Sequence, residues 1–363
     1  MNIWFAANIP EDSCGGVSRS MRELSEGLEK HGHHTTIMYG NKGIFGCNYL
    51  VFALKLCLRM VAHTGNRPQW IIARSTDGVL CAVAVKILGL TTKVVLHNHG
   101  WEEYVYETEK KLPRALISSP TSWKARAIRF PLLRAGLFFC TFCLSGTIFE
   151  TRWLAQRYPL CRKKMRYLPN GVCTRQAPYW LKDHKVPLHI LAVGGHTWKK
   201  NIGHSIAVFN KIAERKPEAR FFLVGAGFDK GALRGLRQEI KDKIVVVPEE
   251  KPGLMSRWYM ECPFIISSSR FEGGHSLVIL EALSYGCVVF ASDLPSTKEI
   301  ITHARNGILI SGVSAGDDAK VIIDVLAKKD LMLRIRQNAC RTALRNRWDR
   351  QVDRLEDILC LKQ

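Results

Sequence analysis

Short apolar runs alternate with amphipathic segments along almost the whole chain. That rhythm predicts parallel α/β construction rather than a bundle or a sandwich. Asn2–Asn8 reads as a strand. A turn then leads to Gly15-Gly16 and a helix with Val17, Met21, Leu24 and Leu28 on one face, which Gly32 ends. Further strands fit His34–Tyr39, Trp70–Ala73, Val94–Leu96 and Phe138–Leu144. Turn chemistry is dense around Leu168-Pro-Asn-Gly-Val172, and Gln176–Val186 is polar, so a domain boundary is expected there. A second series follows, with strands at Leu188–Val193, Ala219–Val224, Lys243–Val247, Phe264–Ser268, Cys287–Ala291 and Ile308–Ile310. Ile202–Ala213, Ala319–Ala327, Asp330–Arg345 and Arg347–Leu361 read as helices. The expected architecture is two doubly wound Rossmann-like domains, 1–180 and 181–345, facing a central cleft. A C-terminal helix (346–363) is expected to pack back toward the first domain.

Charge adds a partner to this picture. Residues 1–180 hold 24 basic and 11 acidic residues, and residues 181–363 hold 29 and 21. Two stretches contain no acid, Lys30 to Thr76 and Lys110 to Phe149, and both mix cations with apolar residues. Such stretches suit anionic headgroups. No segment is long and uncharged enough to be expected to span a bilayer, because Lys55 and Arg59 interrupt the first apolar run. The start lacks the layout of a signal peptide. A cytoplasmic protein, peripheral on the inner face of the membrane, is therefore expected. The twelve cysteines are scattered through apolar stretches, which predicts reduced thiols; Cys140-Thr-Phe-Cys143 alone is weak evidence for zinc.

The densest chemistry lies in Ser269-Arg-Phe-Glu-Gly-Gly-His-Ser-Leu-Val-Ile-Leu-Glu-Ala-Leu-Ser-Tyr-Gly286. Glu281 is the lone ionisable group on an apolar helix and has no basic residue at helical spacing. A buried carboxylate requires hydrogen-bond donors, and ribose or sugar hydroxyls would serve. Gly273-Gly274 allows close backbone approach, and the amides of His275, Ser276 and Leu277, with Ser276 as N-cap, form a helix start suited to phosphate. A sugar nucleotide has both parts.

With these pieces in order, the chain resembles the family-4 retaining glycosyltransferases of GT-B fold, over nearly its whole length. Gly15-Gly-Val-Ser through Gly32-His33 is similar to that family's first loop and helix, and His97-Asn-His-Gly-Trp-Glu-Glu103 to its acceptor-side segment. Leu168-Pro-Asn-Gly-Val172 resembles its linker signal, Val193-Gly-Gly-His-Thr-Trp-Lys-Lys-Asn201 its phosphate loop, and Leu223-Val-Gly-Ala-Gly227 the strand and turn that follow. Glu272 and Glu281 match its paired glutamates, with eight intervening residues where the family has seven. Gly195 stands where the family commonly has Arg, so a phosphate contact must come from His196, Lys199 or backbone amides, or be absent.

The resemblance implies transfer of a sugar from a nucleotide diphosphate, with retention and no covalent enzyme intermediate. Lys200 would contact phosphate, Glu281 the ribose, and Glu272 the transferred sugar. His99 would orient the acceptor, with Gly15 and Gly16 lining the first loop. Bacterial envelope polysaccharide synthesis, with a lipid-linked or lipopolysaccharide-type acceptor, fits the basic N-terminal half. No Asp-x-Asp pair is present, so neither metal nor cofactor is expected. Two other readings remain open: a GT-B epimerase that acts without an acceptor, and a basic nucleic-acid-binding protein. Net charge alone would allow the second, but aromatics do not interleave with the cations as stacking requires. Gly225-Ala-Gly227 is followed by Gly231, one residue late for a dinucleotide fingerprint.

Overall fold

The computed structural model describes residues 1–11, 15–40, 49–63, 65–100, 102–114, 117, 143–157, 164–174, 186–227, 233, 235–247, 250 and 252–360. The chain divides into two units. Residues 1–109, 119–171 and 348–363 form the first, and residues 110–118 and 172–347 form the second.

The first unit holds strands β1 (Asn2–Ala7), β2 (His34–Tyr39), β3 (Trp70–Arg74), β4 (Lys93–Asn98), β5 (Gly146–Phe149) and β6 (Met165–Tyr167) in one parallel sheet of order β2-β1-β3-β4-β5-β6. Every residue of β1 is buried, as expected of a parallel strand covered on both faces. Helices α1 (Gly16–Lys30), α2 (Tyr49–Ala62), α3 (Val79–Ile87), α4 (Glu102–Lys110) and α5 (Arg152–Arg157) flank it. Met21, Leu24 and Leu28 are the buried stripe of α1. The last helix of the chain, here α13 (Trp348–Leu359), also belongs to this unit. It buries Trp348, Val352, Leu355 and Leu359. A Cβ on Gly27 of α1 would lie 2.2 Å from Val352 Cγ2, so a glycine is needed for the helices to meet. Glu356 of α13 binds His33 Nε2 at 3.0 Å and His31 Nδ1 at 3.1 Å.

The second unit holds β7 (His189–Val193), β8 (Arg220–Val224), β9 (Ile244–Val247), β10 (Phe264–Ser267), β11 (Val288–Ser292) and β12 (Ile308–Ile310), all parallel, in the order β12-β11-β10-β7-β8-β9. Its helices are α6 (Ile202–Arg215), α7 (Gln238–Lys241), α8 (Met255–Glu261), α9 (Leu277–Ser284), α10 (Pro295–Lys298), α11 (Ala315–Leu326) and α12 (Lys329–Arg345). Phe209 of α6 stacks on Phe221 of β8 at 4.8 Å in one of its two cores. The chain runs β7-β8-β9 to one side and β10-β11-β12 to the other. The strand order therefore reverses between the adjacent strands β7 and β10, and ligands of such sheets bind beyond the carboxyl ends at that point.

Two parallel doubly wound sheets are thus the observed fold. One strand is misplaced in the sequence reading. Residues 138–142 of the expected strand Phe138–Leu144 lie outside the described residues, and Cys143 and Leu144 are not in a strand; the strand is Gly146–Phe149. The apolar run Ala135–Phe149 has no alternation to fix which part pairs. Val95↔Gly146 and Leu96↔Thr147 show the register that tertiary pairing selects. The eight described cysteines are free thiols. Burial pushes Cys81 up to about 12, which makes it an inert core residue. Among the described residues, no helix is long and apolar enough to cross a membrane.

Candidate functional site

In the second unit, chemistry gathers where β7 and β10 end. Gly194 follows β7 with φ +143, and a Cβ there would sit 3.1 Å from Lys200 Cγ. Gly225 follows β8 with φ +151, and its Cβ would lie 2.3 Å from the Gly194 carbonyl oxygen. Only glycine allows these two loops to run against each other, Gly194 N donating to Val224 O at 2.9 Å. The turn is closed further by His196 N donating to Ala226 O at 2.9 Å. Asn201, left-handed at φ 51, then starts α6.

The loop after β10 is stitched to this one. Arg270 N donates to Lys199 O at 2.7 Å, and Arg270 Nη1 reaches Trp198 O at 3.4 Å. Ser268 Oγ donates to Asn201 O at 2.9 Å. With both backbones fixed, Lys200 Nζ meets Glu272 Oε1 at 2.6 Å, and Ser269 Oγ donates to the same oxygen at 2.7 Å. Lys200 and Glu272 are thus brought together, although the sequence reading gave them separate partners. The pair is partly open, with side chains 29% and 13% exposed. It joins the loop after β7 to the loop after β10, beyond the carboxyl ends of the two strands at the switch point.

Gly273 and Gly274 form a half-buried bend, and neither adopts a positive φ. Ser276 takes the N-cap position of α9, but its hydroxyl makes no cap hydrogen bond. Leu277 is the first helical residue. The His275 side chain is buried with Nε2 3.7 Å from Glu299 Oε2, and so belongs to an internal pair. His196 is exposed and Lys199 half-buried, its Nζ 5.9 Å from the Trp198 ring.

Glu281 is buried, at 8% exposure. The donor it requires is present within the chain itself: Tyr259 of α8 donates its hydroxyl to Glu281 Oε2 at 2.7 Å. Tyr259 in turn stacks on Tyr285 at 5.6 Å. The sequence signal for Tyr259 was only its own need for a partner when buried.

In the first unit, Gly15 caps α1 in extended conformation and Gly16 is its first residue. His97 lies near the end of β4 and His99 just past it, their rings 4.1 Å apart. His99 Nδ1 donates to the Glu150 carboxylate just past β5, a residue the sequence reading missed. Burial, helped by the Arg74 guanidinium, pushes His99 down to about 3. Burial, then the charge on His99, pushes His97 down to about 3 against the pull of Glu150. Both are neutral at ordinary pH, and His99 Nε2 has no hydrogen-bond partner among the described residues. Ligand atoms of His97, His99 and Glu150 lie within 4.8 Å of one another, as do those of His31, Asp353 and Glu356. Both sets have the donor types that hold zinc.

Two family models match: "Glycosyltransferase Family 4" over residues 14–176 and "Glycosyl transferases group 1" over residues 187–328. An uncharacterized glycosyltransferase of Haemophilus influenzae is 27% identical over 123 residues, 33% of this chain and 34% of that protein. The first three curated relatives are matched over 34%, 29% and 31% of their own length. Among solved structures, sucrose-phosphate synthase from Thermosynechococcus elongatus superposes with a TM-score of 0.77 at 15% identity, covering 99% of this chain and 98% of that one. Anabaena Alr3699/HepE in complex with UDP gives 0.72 at 15% identity, with both chains covered completely.

Proposed function

Since the chain belongs to the family-4 glycosyltransferases of GT-B fold, we propose that it moves a sugar from a nucleoside diphosphate to a lipid-linked or lipopolysaccharide-type acceptor, with retention. The observation that carries this reading is the Lys200–Glu272 pair at the β7/β10 switch point, in the same unit as the buried Glu281. As the bond to the donor phosphate breaks, negative charge grows on the diphosphate and positive charge on the anomeric carbon. Lys200 meets the first and Glu272 the second, so their mutual pairing keeps both in position. The amides of Gly273, Gly274, His275, Ser276 and Leu277 at the start of α9 receive phosphate oxygens, with His196 and Lys199 at the opposite loop. Glu281, aimed by Tyr259, accepts from the ribose diol. A structural relative with UDP bound supports a nucleotide donor.

The acceptor hydroxyl attacks from the face the leaving group departs. Its oxygen bonds to the anomeric carbon, the carbon–oxygen bond to phosphate breaks, and the acceptor proton passes to the departing phosphate. His99, with Nδ1–H committed to Glu150 and a neutral ring, offers Nε2 to hold that hydroxyl. Gly15 and Gly16, at the start of α1, contribute backbone that a ligand can approach closely. No metal or cofactor has a step in this scheme. The basic first half favours an anionic, membrane-borne acceptor, and with it a place on the inner face of the cytoplasmic membrane.

The test is incubation of the purified chain with uridine and guanosine diphosphate sugars, with and without an envelope lipid extract, followed by NMR of the product. Sugar transfer that depends on the extract, with the donor's anomeric configuration kept, is expected. Conversion of the donor to an epimer without acceptor would refute it, as would an inverted linkage.

A further inference from the structure

Helix α2 departs from the pattern of a surface helix. Phe52, Ala53, Leu56 and Met60 are its buried side, packed in the core of the first unit. The opposite side should be polar. Instead Leu54 is 54% exposed and Leu58, one turn on, is 59% exposed. Lys55 and Arg59, also one turn apart, are exposed beside them. The neighbouring α3, which packs against α2, ends in the same composition, with Lys86, Ile87 and Leu88 all exposed and Ile87 at 76%.

Along this part of the chain the surface charges have one sign. From Lys30 to Trp101 the sequence holds eight Lys and Arg residues and a single acid, Asp77. Asp77 is buried and accepts from Asn8 N at 2.8 Å, so it lends no negative charge to the surface. A second copy of this chain would set cations against cations across a two-fold interface. A nucleic acid would meet protruding leucines and isoleucine where it requires polar or stacking groups. An anionic bilayer accepts both parts, hydrocarbon at the acyl boundary and cations at the phosphates.

We propose that the outward face of α2, with the end of α3, docks this chain on an anionic membrane surface. Leu54 and Leu58 enter the interface, and Lys55, Arg59 and Lys86 lie at the headgroups. This deepens the reading of a membrane-borne acceptor by naming the surface that meets the lipid, and it rests on that reading only for its purpose.

The experiment is flotation of the full chain with phosphatidylcholine vesicles, with or without about one-third phosphatidylglycerol. Binding is expected only to the anionic vesicles, and should fall severalfold when salt rises to about 0.5 M. Leu54→Ser/Leu58→Ser should weaken it by at least roughly tenfold. Lys55→Gln/Arg59→Gln changes only exposed charges, leaves folding intact, and should weaken it by roughly thirtyfold at low salt. Indifference to vesicle charge, flotation of both variants like the parent, or a dimer that Leu54→Ser/Leu58→Ser dissolves would each overturn the docking surface. Sugar-nucleotide binding is measured on the same preparations. A chain that binds nucleotide but ignores vesicles overturns only this inference, and one that floats but binds no sugar nucleotide overturns the enzymatic reading instead.

Discussion

Replacing Tyr259 by phenylalanine removes one hydroxyl and leaves the ring. In the folded chain that hydroxyl donates to Glu281 Oε2 at 2.7 Å, inside a core where Tyr259 is 1% exposed and Glu281 8%. The phenyl ring can keep its stacking on Tyr285, so little packing is lost. What is lost is a hydrogen bond to a buried carboxylate, about 1.5–3 kcal/mol. A domain of this size shifts by roughly 2–4 °C per kcal/mol, so the melting temperature should fall by about 3–12 °C. The same carboxylate is proposed to hold the ribose, so nucleotide affinity should fall by roughly tenfold, the equivalent of about 1.4 kcal/mol. Scanning calorimetry reads the first effect and titration calorimetry with UDP or GDP the second. A variant that melts within about 1 °C of the parent would mean the hydroxyl does not stabilise Glu281. Unchanged nucleotide affinity alongside a lowered melting temperature would make the pair structural and remove Glu281 from the site.

Three further outcomes follow from the same geometry. Lys200→Ala should lower kcat/KM by about a hundredfold through loss of charge stabilisation, while stability changes by less than about 1 kcal/mol because the pair is partly exposed; steady-state kinetics beside a melt checks both. Gly225→Ala would place a methyl 2.3 Å from the Gly194 carbonyl at φ +151, so it should destabilise the second unit by several kcal/mol and abolish nucleotide binding, which urea unfolding with and without UDP would detect. His97 and His99 are depressed to about 3 in the folded chain against an ordinary 6.5, so the unfolded chain binds more protons between those values. Stability is therefore fully present above pH 6.5 and is lost as pH falls, by up to about 1.4 kcal/mol per unit for each ring. His97→Gln should flatten that slope in urea melts taken between about pH 5 and 7.5.

The alternation of apolar and polar positions was enough to locate strands such as His34–Tyr39 and Ile308–Ile310, because short β-rich runs bounded by turn residues leave little freedom. It failed along Ala135–Phe149, where every position is apolar or small and the pairing partner, not the pattern, selects Gly146–Phe149. The three-residue strand Met165–Tyr167 carries too little pattern to see. Lys200 and Glu272 were legible singly, each just past a strand of the second unit, but their meeting depends on β7 and β10 being neighbours, a property of strand order rather than of local sequence. Tyr259 and Glu150 were missed for a related reason. Each partners a residue 22 or 51 positions away, and no helical or strand spacing links them.

Titration calorimetry of the intact chain and of Lys200→Ala with uridine and guanosine diphosphate sugars tests the central claim most directly. One sugar nucleotide should bind the parent at a single site, and the variant at least roughly tenfold more weakly. No heat with any donor, or equal affinity in both proteins, would contradict the assignment of the β7/β10 switch point as the donor site.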